Sequence, residues 1–314
     1  MRVLVIGAAG FVGGHLLDLL KSLPEIEIHA TKLENEKIES KLPAEKVINL
    51  DILDKEKVES TLGILCPDYI IHLAAQSSVS FSWKEPALTY NINVIGAINL
   101  LEAARKLNSN ARLLFIGSAE EYGNVECEEL PINESRNIVP GNPYAVSKAS
   151  QEMAVLLYKE AYKIDVILVR AFNHIGPGQN ATFALPGFAK QIAEIEKGIQ
   201  KPVILTGNLE AKRDFTDVRD IVRGYWGLLQ KGKSGEIYNI GSGRSYSIGS
   251  LLNKMITMSH TAIEVRTDPN KLRPLDIPEL RADISKIKSH IDWQPQLDMD
   301  VTLSDMLNYW RARC

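Results

Sequence analysis

Short apolar runs alternate with longer amphipathic stretches through the first half of the chain. Residues 3–6 form an unbroken apolar run that stops at Gly7, and Phe11, Val12, Leu16, Leu17, Leu19 and Leu20 then recur at the spacing of one helix face. A run of the first kind reads as a strand buried on both faces, and the second as a helix packed on one side. Residues 26–31, 47–51, 69–75, 112–118 and 166–170 predict further strands, with helices over 87–106 and from 142 through 157. Strand and helix in turn predict an α/β fold, a doubly wound parallel sheet of the Rossmann type.

The second half is less regular. It offers a helix over 188–197, a charged segment from Arg213 to Asp220 ahead of another helix, a short strand over 236–240 and a last helix over 303–310. The division expected is a dinucleotide-binding domain over 1–172, with residues about 214–260 returning to it. A smaller C-terminal substrate-binding lobe would form from 173–213 and 261–314. No internal repeat or low-complexity tract interrupts the pattern.

The first turn carries the most specific chemistry. Gly7, Gly10 and Gly13 stand between the first strand and the first helix, the context that a pyrophosphate-binding turn requires. Gly7 suits a tight turn, Gly10 lets the backbone approach the phosphates, and Gly13 lets helix pack closely on strand. The N–H groups of the helix beginning at Phe11 and Val12 then favour an anion. The second strand ends at Thr31-Lys32, where a carboxylate would hold the ribose 2′-OH of NAD and a cation the 2′-phosphate of NADP. Lys32 fits either that contact or a solvated loop; NADP(H) is favoured, with NAD(H) as the alternative. Asp51 ends the third strand as a carboxylate suited to an adenine amino group, and Ala74-Ala75-Gln76 ends the fourth with small residues that let a cofactor approach. Asn93 fits either a satisfied polar position on its helix or a bridge holding a strand end open.

Ser118 is delivered at the carboxyl end of the fifth strand, where ligands of such sheets sit. Tyr144 and Lys148 lie at i and i+4 of the next helix, hence on one face. A tyrosine with an ordinary pKa of about 10 shuttles protons poorly at neutral pH. A neighbouring ammonium and an oxidised nicotinamide would favour the phenolate, and Ser118 would hydrogen-bond the oxygen being reduced.

Composition narrows the partners. A formal net charge of −3 with 45% hydrophobic and 24% charged residues describes an ordinary globular chain and gives no sign of nucleic-acid or anionic-membrane binding. No apolar run approaches a membrane span, and the first strand begins directly after Met1, so no signal peptide is expected. Cys66, Cys127 and Cys314 are scattered and lack metal-ligand spacing, which fits a reduced cytoplasm and no metal site.

Together Gly7-Ala-Ala-Gly-Phe-Val-Gly13, Asp51-Ile-Leu, His72-Leu-Ala-Ala75, Asn93-Val-x-Gly96, Ser118, Tyr144-x-x-x-Lys148 and the segment from Arg213 to Asp220 resemble the extended short-chain dehydrogenase/reductases of nucleotide-sugar metabolism over nearly the whole chain. Within that family, the segments from Gly117 to Gly123, from Arg170 to Gln179 and from Arg273 to Pro278 most resemble the GDP-6-deoxy-mannose reductases, close relatives of the GDP-mannose 4,6-dehydratases. The resemblance implies reduction of GDP-4-keto-6-deoxy-D-mannose to GDP-D-rhamnose. It also implies cofactor contacts at Gly7, Gly10, Phe11, Val12, Gly13, Lys32, Asp51, Ile52, Leu73, Ala74, Ala75, Asn93, Tyr144 and Lys148. Substrate contacts would fall to Gln76, Glu120, Asn173, Lys190, Arg213 and Arg273, the two arginines as bidentate partners of a diphosphate. Relatives commonly form homodimers through the helices carrying Tyr144 and Asn93.

The residues after Ser118 bear on the reaction. A dehydratase must remove a C5 proton and expel the C6 hydroxyl, and relatives that do so usually carry Thr, then Asp or Ser, then Glu. Here the run is Ser118-Ala119-Glu120, so the acid position is empty while the base position is filled. The reductase leads, the 4,6-dehydratase follows, and a 4-epimerase, which typically has Thr or Ala in place of Glu120, ranks third. A dinucleotide-binding scaffold without catalysis is disfavoured because Tyr144 and Lys148 are both present. His174 reads as a residue that shapes its loop.

Overall fold

The computed structural model describes residues 1–269 and 277–314. Its first part runs β1 (Arg2–Ile6), α1 (Phe11–Lys21), β2 (Glu27–Lys32), β3 (Val47–Asn49), α2 (Lys55–Leu65), β4 (Tyr69–His72), α3 (Val79–Lys84), α4 (Pro86–Tyr90), α5 (Gly96–Lys106), β5 (Arg112–Ser118), α6 (Pro143–Tyr162) and β6 (Val166–Ala171). The second part adds β7 (Asn173–Ile175), α7 (Ala184–Glu196), β8 (Val203–Thr206), β9 (Lys212–Asp217), α8 (Val218–Lys231), β10 (Ile237–Ile240), β11 (Ser245–Ser247), α9 (Ile248–Thr257), β12 (Glu264–Thr267), β13 (Glu279–Leu280), α10 (Ser285–Ile291) and α11 (Met299–Arg311).

The large sheet has the order β10-β6-β5-β4-β1-β2-β3, with every neighbouring pair parallel. Alternate residues of β1 feed opposite cores: Val3 and Val5 pack with α1 and α8, Leu4 and Ile6 with α2, α5 and α6. That is why the run is apolar throughout rather than alternating. The chain reverses its direction of growth between β1 and β4, which opens a crevice beyond their carboxyl ends.

The helix predicted over 87–106 is not uniform. Between α4 and α5, residues Asn91–Ile95 form a π turn, closed by a bond from the Gly96 N–H to the Asn91 carbonyl. A lone π turn adds a residue to the helix without breaking it, and no residue of the segment signals it.

The lobe is assembled differently from the expected division. α8 and β10 join the large sheet, but β11 pairs with β9 and α9 packs against α7 and α11, although both fall within 214–260. In the opposite sense, Ile287 and Ile291 of α10 and the following Trp293 pack into the core of the large sheet. The reason is the distribution of large apolar side chains: Leu251, Leu252 and Met255 have partners in Ile192, Leu303 and Met306, all fully buried. No helix among the described residues is long and apolar enough to cross a membrane.

Candidate active site

The glycine turn occupies the mouth of the crevice. Gly7 adopts φ +80°, and a β-carbon there would stand 2.5 Å from the Ala74 nitrogen, so this position binds β1 tightly to the end of β4. A β-carbon on Gly13 would lie 2.3 Å from the Ala8 carbonyl oxygen, which forbids any side chain where α1 meets the turn. At Gly10 the nearest atom is the Gly7 carbonyl oxygen, 3.6 Å away; the space beyond is open. Gly10 is also the N-cap of α1 and has no side chain to cap the helix, leaving the dipole of Phe11 and Val12 directed at that space. Such a cradle fits a dinucleotide pyrophosphate.

At the ends of β2 and β3 a cavity of about 640 Å³ is lined by Leu33, Glu34, Asn49, Leu50, Asp51 and Lys57, among others. Ile52 is buried beside it against Gly96. Lys32 ends β2 at this place, with its ammonium donating to the carbonyls of Leu33 (3.0 Å) and Glu34 (3.1 Å). Leu73 and Ala74 both donate their N–H groups to Ile6 O, carrying the end of β4 toward Ala75 and Gln76.

Asn93 is fully buried on the π turn and bridges three groups. Its Oδ1 accepts from the Gln76 N–H at 2.8 Å, while its Nδ2 donates to Gln76 O at 3.0 Å and Ser147 Oγ at 2.8 Å. Of the two readings that the sequence leaves open, the structure selects the bridge. The β4 loop is thereby pinned to the helix that bears Tyr144.

Ser118 ends β5, and Tyr144 enters at the first turn of α6. That turn is well specified: Asn142 caps it by accepting from the Ala145 N–H at 2.9 Å, Pro143 begins it, and the Tyr144 N–H donates to Ser82 Oγ at 3.1 Å. Burial pushes the Tyr144 phenol above its ordinary range, the nearby Ser118 hydroxyl pulls it part of the way back, and Glu121 and Glu120 push it up. Against the expectation, Lys148 does not lower it. The Lys148 ammonium is directed to Ile116 O at 2.7 Å and Gln151 Oε1 at 3.0 Å, and burial brings its own pKa down to about 8. The Tyr144 phenol therefore keeps its proton at neutral pH in this arrangement.

Glu120 follows the buried methyl group of Ala119. Its N–H donates to Ser118 Oγ at 3.2 Å, and its carboxylate accepts from Asn142 Nδ2 at 3.0 Å. Asn142 therefore caps α6 with one end of its amide and holds Glu120 with the other. The sequence signals only the cap, through an Asn directly before a Pro at a helix start. Glu121, completely buried and accepting from the Ser118 N–H at 2.6 Å, has no sequence signal at all.

The candidate substrate contacts are more dispersed. Gln76 closes a small loop with Ser78, donating from Nε2 to Ser78 O at 3.2 Å. Asn173 is exposed at the start of β7, ahead of His174, whose Nδ1 donates to Phe172 O at 3.1 Å and whose ring stacks on Phe11. Lys190 on α7 lies over the Trp310 ring and 3.6 Å from Glu194. Arg213 is buried on β9 and donates to Ile277 O at 2.7 Å, bracing the chain just after residues 270–276. Arg273 lies outside the described residues. No group of His, Cys, Asp and Glu able to hold a metal ion occurs among the described residues.

The chain is similar to known proteins along nearly its whole length. A GDP-6-deoxy-D-mannose reductase of Pseudomonas aeruginosa is 32% identical over 312 residues, covering 99% of this chain and 98% of the relative. A solved structure of RMD from Pseudomonas aeruginosa complexed with NADPH superposes with a TM-score of 0.88 at 32% identity, covering 100% of this chain and 99% of that one. A Thermus thermophilus UDP-glucose 4-epimerase in complex with NAD gives 0.89 at 28% identity, with both chains covered in full (100%). Residues 4–306 match the family described as GDP-mannose 4,6 dehydratase. The chain therefore belongs to that family, within the extended short-chain dehydrogenase/reductases, the NAD(P)-dependent enzymes that reduce, dehydrate or epimerise nucleotide sugars.

Proposed function

We propose that the protein reduces the 4-keto group of a nucleotide sugar with NADPH, converting GDP-4-keto-6-deoxy-D-mannose to GDP-D-rhamnose. The observation that carries this reading is the segment after β5. Ser118 lies within reach of a phenol that keeps its proton, while Ala119, buried and unable to donate or accept, stands where sugar dehydratases that use an acid keep one. Ser118 orients the ketone oxygen by hydrogen bonding, and Tyr144 gives that oxygen its proton. Lys148, held against Ile116 O and Gln151, keeps a positive charge beneath the site. The turn at Gly7, Gly10 and Gly13 with Phe11 and Val12 would hold the pyrophosphate, Asp51 and Ile52 the adenine, and Leu73, Ala74, Ala75 and Asn93 the nicotinamide end. Bound there, the dinucleotide supplies the hydride. Lys32, at the end of β2 in place of an acid, favours NADPH over NADH. Gln76, Asn173, Lys190, Arg213 and Arg273 are proposed to hold the sugar and its diphosphate.

The 4,6-dehydratase remains a second reading because Glu120 stands at the base position. Product analysis with GDP-mannose alone, and with the 4-keto sugar plus NADPH or NADH, decides between them. Glu120→Gln is expected to keep NADPH-dependent reduction within about tenfold of wild type, about 1.4 kcal/mol in transition-state stabilisation. Robust 4-keto formation from GDP-mannose that disappears in Glu120→Gln would establish the dehydratase instead.

A cytoplasmic homodimer completes the proposal. Trp83, Leu88 and Tyr90 on α3 and α4, and Val146, Met153 and Leu157 on α6, are all exposed, and these helices pack against one another. Large apolar side chains exposed on helices that pack together support an association site there. Light scattering should give twice 34.9 kDa, and a monomer would reject the dimer.

A further inference from the structure

Helix α5 reaches the wall of the cavity at the ends of β2 and β3 from behind. Its first residue, Gly96, meets Ile52: a β-carbon there would stand 2.7 Å from Ile52 Cγ2. Three residues on, along the same face, Asn99 directs its amide at the same place. Its Nδ2 donates to Ile52 O at 3.0 Å and to Leu53 O at 3.4 Å. The positions around it are apolar, with Ala97, Leu100, Leu101, Ala103 and Ala104 all buried in the core between α5 and the sheet. A buried amide in such a setting is costly unless it is bonded, and the bonds of Asn99 go to backbone carbonyls between β3 and α2 rather than to its own helix.

The turn that Asn99 holds carries Asp51 into the lining of the 640 Å³ cavity. Asp51 Oδ1 accepts from the Leu53 N–H at 2.9 Å, Asp51 O accepts from the Asp54 N–H at 3.0 Å, and the Leu50 N–H donates to Lys32 O at 2.8 Å. Those bonds close the turn on itself and on β2. Gly96 and Asn99 tie it instead to the helical stretch that begins at the π turn, where Asn93 grips both backbone groups of Gln76 at the end of β4. One rod thus holds both sides of the crevice.

We propose that Asn99 is a positioning residue for the adenine half of NADP(H). Buried behind the turn, it sets where Asp51 and Ile52 stand in the cavity wall, as Asn93 sets Gln76 at the nicotinamide half. Residues 91–106 thereby fix the spacing between the two halves of the cofactor. The inference rests on the proposed placement of the adenine at Asp51 and Ile52, and it requires no nucleotide sugar.

The probes are the two halves of the cofactor, 2′-phospho-ADP-ribose and reduced nicotinamide mononucleotide, titrated on the full chain by calorimetry and ligand-observed NMR. Asn99→Leu keeps a side chain of similar shape and removes the donor from Ile52 O. The adenine fragment should then bind about tenfold more weakly, and the mononucleotide within about twofold of wild type, since one buried carbonyl is left to find a new partner at one end of the crevice only. Asn93→Ala should give the reverse pattern. A role in packing alone would lower the thermal midpoint of Asn99→Leu and leave both affinities in place; that result, or equal weakening of both fragments, would overturn the proposal. Gly96→Ala presses on Ile52 from the same helix and should weaken the adenine fragment just as selectively, so it decides if Asn99→Leu does not fold. Asp51→Ala separates the inference from the reading beneath it. If that variant binds the adenine fragment as tightly as wild type, the placement of the adenine falls and the proposal with it. If Asp51→Ala weakens the fragment and Asn99→Leu does not, the proposal alone falls.

Discussion

Replacing Asn93 by alanine should separate the β4 loop from α6. The substitution removes an acceptor from the Gln76 N–H and a donor from Gln76 O, two backbone groups that the fold holds away from full solvation. Ser147 Oγ loses one bond but keeps its own donation to Tyr144 O at 2.7 Å, so it adds little. Two orphaned backbone groups at about 1–2 kcal/mol each give a loss of about 2–4 kcal/mol. With an unfolding entropy of about 2.1 cal/mol/K per residue over 314 residues, each kcal/mol lowers the thermal midpoint by about 1.5 °C. The expected fall is about 3–6 °C by calorimetry. Asn91→Ala, exposed on the same π turn, should move the midpoint by less than about 1 °C and controls for helix propensity. NADPH affinity should weaken in Asn93→Ala alone, because Ala74–Gln76 is no longer held in register with α6. Equal midpoints for the two variants would refute the bridging role.

Tyr144→Phe keeps the buried ring and removes the proton, so kcat should fall by roughly 100-fold or more while NADPH affinity changes little; near-wild-type turnover would exclude Tyr144 as the acid. Lys32→Asp should weaken NADPH and improve NADH in fluorescence titrations, and an unchanged preference would make Lys32 a bystander. His72 is fully buried at the end of β4 with neither ring nitrogen hydrogen-bonded among the described residues, and burial with Lys148 nearby brings its pKa down to about 3. Its folded pKa lies below the unfolded value of about 6.5, so the unfolded chain takes the proton first and stability is lost as pH falls from about 6.5 toward 3. His72→Phe should therefore lose less thermal midpoint than wild type between pH 6.5 and 4, and parallel curves would exclude the effect.

Much of the frame is legible residue by residue. The run over 3–6, the three glycines and the leucine periodicity that follows specify β1, the turn and α1, because strand burial, positive φ and helix spacing are local properties of consecutive residues. Ser118 at a strand end and Tyr144 and Lys148 at i and i+4 were likewise readable, since one strand and one helix place them. What could not be read depends on partners far along the chain. Asn93 became a bridge only because Gln76 and Ser147 come to it, and the π turn it sits on has no signal in its sequence. The pattern of consecutive residues is likewise silent on the lobe, where α9 goes to α7 and α11 while α10 returns to the large sheet, because complementary apolar surfaces choose each other only in three dimensions. Charge is the clearest case. Lys148 reads as the cation that lowers Tyr144, yet tertiary packing turns it to Ile116 and Gln151 and brings Glu121, Glu152 and Arg170 together out of water. Residue identity determines that a group can ionise; burial and the partners that folding supplies decide whether it does.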